Sequence, residues 1–457
     1  MPIAVQIIAV FAVSGLSIFL LYKGWSPIVT PVLMSVLLLI FSGVNPLTGL
    51  TDIFLQGFMR IIPMFLLYFL TGSIMGALVA RSGAAEAIAD TLFRVFVSRR
   101  EGRSRAIAGG IVGTFVCFIC CYGGLDTFCA VFTLLPIVMV LAQKSDVPRR
   151  LVPALMFGGI SSASLGPGAP LTANNMGAML FGTTITAAPV IGVIGMVVVL
   201  ALIIQFTFRQ VGRAYDRGER FEIGGYKMPE SRPADERPHF ILAILPFVAV
   251  FVCSTIIGMA TYLCLTVGCA VCIVCFTPYI VRHCKKTVSD GSSVGLAVGK
   301  TLLECLNEGG MNGGSAFLII GIGSAFASVV GANEGLNVLL NTLVELPIPT
   351  VIVFALVIIV FTFLSGSPGC MIVAAPIFLP LLDRMGGVSA AGLMRIAVFG
   401  QCVLDTLPMN GAILIVSASS GLKMKESYPG IFRTTVLYMF IGTVLVTALA
   451  MLFPGLA

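Results

Sequence analysis

Two aspartates and three asparagines stand where a chain this apolar has little reason to keep them. Asp126 closes the short run YGGLD, Asp405 precedes TLPMNG, Asn174 and Asn175 end GPGAPLTANN, and Asn410 lies five residues after Asp405. A carboxylate or amide inside apolar sequence costs free energy unless something bonds it, so each marks a candidate functional position. Asp126 and Asp405 read equally as proton carriers or as caps of half-helices. Glu308 is a third candidate for proton coupling, although Lys300, Glu304, Glu308 and Asn312 share one helix face, which also suits intrahelical ion pairing. Catalytic motifs are absent: there is no HExxH, no GxSxG near a histidine, and no CxxC pair with metal spacing. GLAVGKT (Gly295–Thr301) is one residue short of a phosphate loop. With two histidines in 457 residues, no metal site, organic cofactor or enzymatic activity is expected.

The elements that must position these residues are membrane helices. Hydrophobic residues make up 58% of the chain and charged residues 10%, against the quarter normal for soluble proteins, and mean hydropathy is +1.06. The composition predicts an all-α polytopic membrane protein, and nothing in it suggests a nucleic-acid partner. Thirteen cysteines, as in CFICC, lie mostly in apolar runs and read as small embedded hydrophobes. Apolar runs at about 3–22, 27–43 and 53–80 each approach the ~20 residues a bilayer requires. Arms at 106–142 surround a polar tip, and a further run follows at about 186–208. Residues 209–238 hold seven basic and six acidic residues with Gly and Pro, a solvated linker. Spans follow at about 239–257, 260–281 and 301–330, an amphipathic piece at 333–345, arms at 348–382 around SGSPG, and a last span at about 429–453.

Two runs of spanning length are interrupted. FGGISSASLGPGAPLTANN (Phe157–Asn175) carries Gly166, Pro167, Gly168 and Pro170, and FGQCVLDTLPMNGAIL (Phe399–Leu414) repeats its Phe-Gly opening and its Gly-Ala-x-Leu pattern. Unwound backbone survives at membrane depth only inside protein or beside a watery cavity. Paired interruptions in two halves point to a transporter's solute site. The duplication extends to SGAAEAIADTLFRV at Ser82 against VGANEGLNVLLNTLV at Val330, and to LLPIV at Leu134 against FLPLL at Phe378. The expected organisation is therefore two inverted-topology repeats, 1–208 and 239–457, each with a re-entrant hairpin and a broken helix, joined by the linker 209–238. Five spans per half with both termini outside place 24 of 27 basic residues on the cytoplasmic side, leaving Arg384 and Arg395 outside and Arg60 within a span.

Each break and each tip starts a half-helix, near Pro170, Met409, Asp126 and Ser367, and helix N-termini attract anions. Gly123, Gly124, Asp126 and Thr127 of the first tip, Ser365, Gly366 and Ser367 of the second, Ser164, Gly166, Gly168, Thr172 and Asn174 of the first break, and Thr406 and Asn410 of the second are the expected solute-binding set. Asp405, Asp126 and Glu308 are the expected proton-coupling set. The segments GALVARSGAAEAIADTLF (Gly76–Phe93), GPGAPLTANN with FGTTITAAPVIG, and LDTLPMNGAILIVSASSGLKMKESYPGIF (Leu404–Phe432) resemble the gluconate permease family of proton symporters, within the ion transporter superfamily of carboxylate carriers. The resemblance implies inverted repeats, proton-coupled uptake of hydroxy- or sugar-acid anions, a homodimer, and a bacterial-type cytoplasmic membrane. Sodium coupling and ion/proton antiport stay open, with a passive channel ranked behind them.

Overall fold

The computed structural model describes the chain except residues 225–232, 234–235, 288–293, 346, 366 and 409, and several side chains within helices, that of Ser365 among them, are also outside the description. Helices α1 (Ile3–Tyr22), α2 (Val29–Ser42) and the single turn α3 (Pro46–Gly49) lead into the long α4 (Leu55–Ser82). Gly83 takes φ +74°, turning the chain into α5 (Ala84–Phe96). A helical hairpin follows, α6 (Gly102–Tyr122) and α7 (Thr127–Ser145). The first broken helix is α8 (Val152–Leu165) and α9 (Thr172–Phe181), and α10 (Pro189–Asp216) runs to the linker. The second half contains α11 (Phe240–Phe251), α12 (Thr261–Thr287), the 38-residue α13 (Val294–Gly331) and α14 (Glu334–Val344). Its hairpin is α15 (Thr350–Ser365) with α16 (Ser367–Phe378), its broken helix α17 (Ala390–Gln401) with α18 (Gly411–Ser419), and α19 (Met424–Ile431) and α20 (Tyr438–Leu452) close the chain. From α4 and from α13 onward the order is the same: long helix, short amphipathic helix, hairpin, broken helix, closing helix.

Among the described residues, seven helices are long and apolar enough to cross a membrane, and four shorter apolar helices join them. The protein is a multi-pass membrane protein. Without a hydrophobic drive between helices in lipid, small residues let backbones approach. Gly309 and Gly313 of α13 do this against α4, where an added Cβ would lie 2.5 Å from Ile74 Cα and 2.6 Å from the Phe69 carbonyl oxygen. Gly159 of α8 does it against α6, 2.3 Å from the Thr114 carbonyl oxygen.

Arg60 and Glu308 do not pair among the described residues. Glu304 and Glu308, one turn apart on α13, both pair with Arg81 at the end of α4, at 3.3 and 3.1 Å, while Arg60 is exposed. The basic loops interlock. Arg103 meets Asp216, Lys144 meets Asp90, Arg150 meets Glu219, Arg220 meets Asp146, and Arg237 binds both Glu86 and Asp90. The linker flanks are thereby docked on α5, the start of α6 and the segment between α7 and α8.

Candidate functional site

Local sequence makes the two breaks in different ways. In the first, Pro167 and Pro170 lack backbone donors and Gly168 adopts φ +83°, a left-handed conformation that L side chains resist. In the second, α17 ends at Gln401, turns follow through Thr406, and α18 resumes at Gly411, where Asn410 accepts the Ala412 N–H at 2.8 Å. The tips form similarly. Gly124 takes φ +105° between α6 and α7, and Ser367 is the first residue of α16.

Tips and breaks meet. Thr172 at the start of α9 donates to Asp126 Oδ2 at 3.2 Å, Tyr122 at the first tip donates to the Pro167 carbonyl at 2.7 Å, and Ser367 donates to Gln401 Oε1 at 3.1 Å. Between them lies a cavity of about 570 Å³. Its wall includes Asp126, Thr127, Ser164, Thr172, Ser367, Asp405, Thr406 and Asn410 from the residues the sequence singles out. Every residue of α8 is buried except Ser161 and Ser164, which face this space. The starts of α7, α9, α16 and α18 all border it. Its charged wall residues, among those described, are Asp126 and Asp405; no lysine, arginine or histidine lines it. The Asp405 carboxylate makes no hydrogen bond or ion pair within the described residues, in contrast to Asp126.

Several expectations need correction. Asn174 is wholly buried and away from the cavity wall: its amide nitrogen donates to the carbonyls of Ser164 and Gly166 at 3.0 and 3.1 Å, and its oxygen accepts from Arg395 at 2.8 Å. Both of its N–H donors are used to close the broken helix. Asn175 is satisfied by Leu171 and Thr261. Gly123, Gly124, Gly166 and Gly168 shape the tip and break without lining the cavity, packed against Phe247, Leu265, Tyr122 and Thr255. Glu308 lies apart from the cavity, half exposed and held by Arg81. Gly366 is outside the described residues, as is the side chain of Ser365.

Arg395, which the span count leaves on the outer side, is fully buried on α17. Its five donors make five bonds, to the Ala187 carbonyl twice (3.1 and 2.7 Å), and to the Leu165 carbonyl (3.3 Å), the Ile185 carbonyl (3.2 Å) and Asn174 Oδ1 (2.8 Å). Leu165 is the last residue of α8, so a cation there also suits the negative end of that half-helix. In the sequence Arg395 stood as an exception to the positive-inside rule, left outside by the span count. An arginine inside VSAAGLMRIAVFG was the signal available. Ser17, Phe69 and Thr362 on the wall were also missed, since α1, α4 and α15 carry no break to draw notice; Trp25 follows α1, and Gln401 lies at the second break, where the aspartate and asparagine drew the attention.

No family model matches the chain. A Bacillus subtilis (strain 168) protein named uncharacterized transporter YxjC is 24% identical over 470 residues, covering 94% of this chain and 96% of that protein. Among solved structures, the Alcanivorax borkumensis YdaH transporter, whose crystal structure is described as revealing an unusual topology, superposes with a TM-score of 0.50 at 14% identity. That match covers 90% of this chain and 89% of the other. At such identity the likeness is one of fold.

Proposed function

We propose that this chain is a secondary active transporter that couples protons to the uptake of a small organic anion of the hydroxy- or sugar-acid class. The observation that carries the reading is the cavity where two tips and two breaks converge, with two carboxylates and no basic side chain among its described wall residues. Four half-helix N-termini favour an anion. Two ionised aspartates oppose it. An anion therefore binds best when the aspartates are protonated, and by reciprocity bound anion favours their protonation, which is the thermodynamic core of symport. Asp405 is the primary proton carrier in this reading, because its carboxylate has no partner to hold it ionised, and Asp126 is second.

The repeated element order and the paired broken helices support two inverted-topology halves, 1–208 and 239–457, with re-entrant hairpins. The names of the two similar proteins, both transporters, agree with the reading. The clustered basic loops support a cytoplasmic linker with both termini outside, in a bacterial cytoplasmic membrane, and the gluconate permease resemblance supports a homodimer.

The test is uptake of radiolabelled D-gluconate, D-glycerate and L-lactate into proteoliposomes under an imposed proton gradient. Accumulation that collapses with a protonophore, and that Asp405→Asn abolishes while solute counterflow persists, is expected. Accumulation insensitive to protonophore but dependent on Na⁺ would overturn proton coupling, and equilibration without accumulation would overturn active transport.

A further inference from the structure

Gln401 is a polar side chain for which the fold supplies only half a set of partners. It ends α17 at the second break, is 1% exposed, and borders the cavity beside Ser367, Asp405 and Thr406. Its oxygen accepts the Ser367 hydroxyl, which comes from the first residue of α16 beyond the second tip. Its nitrogen has no partner, and among the described residues it is the buried side-chain nitrogen that no protein group satisfies. The neighbouring polar groups on this wall are already engaged: Thr406 with Thr435, and Asn410 with the Asp405 carbonyl at 2.8 Å and the Ala412 N–H. Buried amides that keep an unused donor are rare because the lost hydration is uncompensated.

We infer that Gln401 is a specificity-determining residue whose Nε2–H donates to an oxygen of the transported anion. The inference rests on the transport reading above. Two features give it direction. Because Ser367 occupies Oε1, the amide presents a donor and not an acceptor to whatever enters beside it, which suits a carboxylate or hydroxyl oxygen. Because Nε2 is closed off to water in this arrangement, a solute reaches it only as the Ser367 tip and the Gln401 turn part. Solute binding and the position of Ser367 are thus linked through one side chain. Asp405, four residues further along in the turns after α17, places the proposed proton carrier on the same stretch of wall.

The experiment compares wild type, Gln401→Met, Ser367→Ala and the double variant in the same proteoliposomes, with D-gluconate, D-glycerate and L-lactate as probes. Methionine keeps the length and removes the donor. Gln401→Met is expected to raise the half-saturation concentration about tenfold or more, the effect of losing a hydrogen bond to a charged group. The solute-free melting temperature of the double variant is expected to equal or exceed that of Ser367→Ala, since the amide it removes had no partner. A purely supporting role would lower that temperature and leave half-saturation within about twofold of wild type, and either result overturns the assignment. Should wild type itself respond to none of the three anions, the transport reading and this inference fall together. If wild type responds and Gln401→Met matches it, only this inference falls.

Discussion

Replacing Arg395 by methionine tests whether the first break is a stable feature of the fold or a segment awaiting a solute. The guanidinium makes five hydrogen bonds in a fully buried site, with no carboxylate partner among the described residues. Bonds from a charged donor contribute about 1.5–3 kcal/mol each, so the gross stabilisation is on the order of 10 kcal/mol. Burying the charge costs several kcal/mol against that. The net loss expected for Arg395→Met is about 3–5 kcal/mol, the usual effect of removing one member of a buried charged network. Four acceptors, the carbonyls of Leu165, Ile185 and Ala187 and the Asn174 side chain, would be left without their donor. Arg395→Lys retains charge but offers three donors without the planar fork, and should fall between the two. Asn174→Ala, which removes three bonds, should lose less than Arg395→Met. The assay is thermal unfolding in detergent with a thiol-reactive fluorophore. It is well suited to a chain of thirteen cysteines in which Cys117, Cys120 and Cys121 are buried. A melting temperature for Arg395→Met equal to wild type would refute the argument, and so would Asn174→Ala that keeps wild-type stability but loses solute affinity.

Trp25 is the single tryptophan and borders the cavity while half exposed, so a transported anion should change intrinsic fluorescence and an unrelated cation should not; an unchanged spectrum at saturating solute counts against Trp25 as part of the solute path. Gly313→Leu should drive α13 from α4 and lower the yield of monodisperse protein, whereas Gly314→Leu, where an added Cβ meets nothing within 4 Å, should leave it unaltered in size-exclusion profiles. Two hydrogen bonds from Arg150 hold the Glu219 carboxyl below its ordinary range. That depressed folded-state value means the pair stabilises the fold above the unfolded carboxyl pKa of about 4.3, and the contribution is lost as pH falls through the folded value. Both groups are about a third exposed, so the effect is ~0–1 kcal/mol, and Arg150→Gln should flatten the acid limb of a melting-temperature profile by no more than that.

Composition alone determined that the chain is an all-helical membrane protein, because only helices or closed barrels satisfy a backbone in lipid and the apolar runs are of helical length. Proline and glycine at Gly166–Pro170 and the glycines at Gly123–Gly124 also located one break and one tip within a few residues, since lost donors and left-handed φ are local properties. Which of those residues face the cavity was decided by tertiary structure. Asn174 and Asp405 look alike in sequence, each polar beside a break. The fold closes Asn174 behind α8 against Arg395 and leaves Asp405 open to the cavity, and that difference depends on contacts 221 residues apart. Glu308 was a candidate because an ionisable group inside a span suggests function, but its partner Arg81 lies 227 residues away on α4. The roles of Gln401 and Arg395 likewise come from the approach of α16 and of the first break to α17. Helical periodicity and hydropathy carry no record of such approaches, because they describe a segment against lipid or water and not against another segment of the same chain.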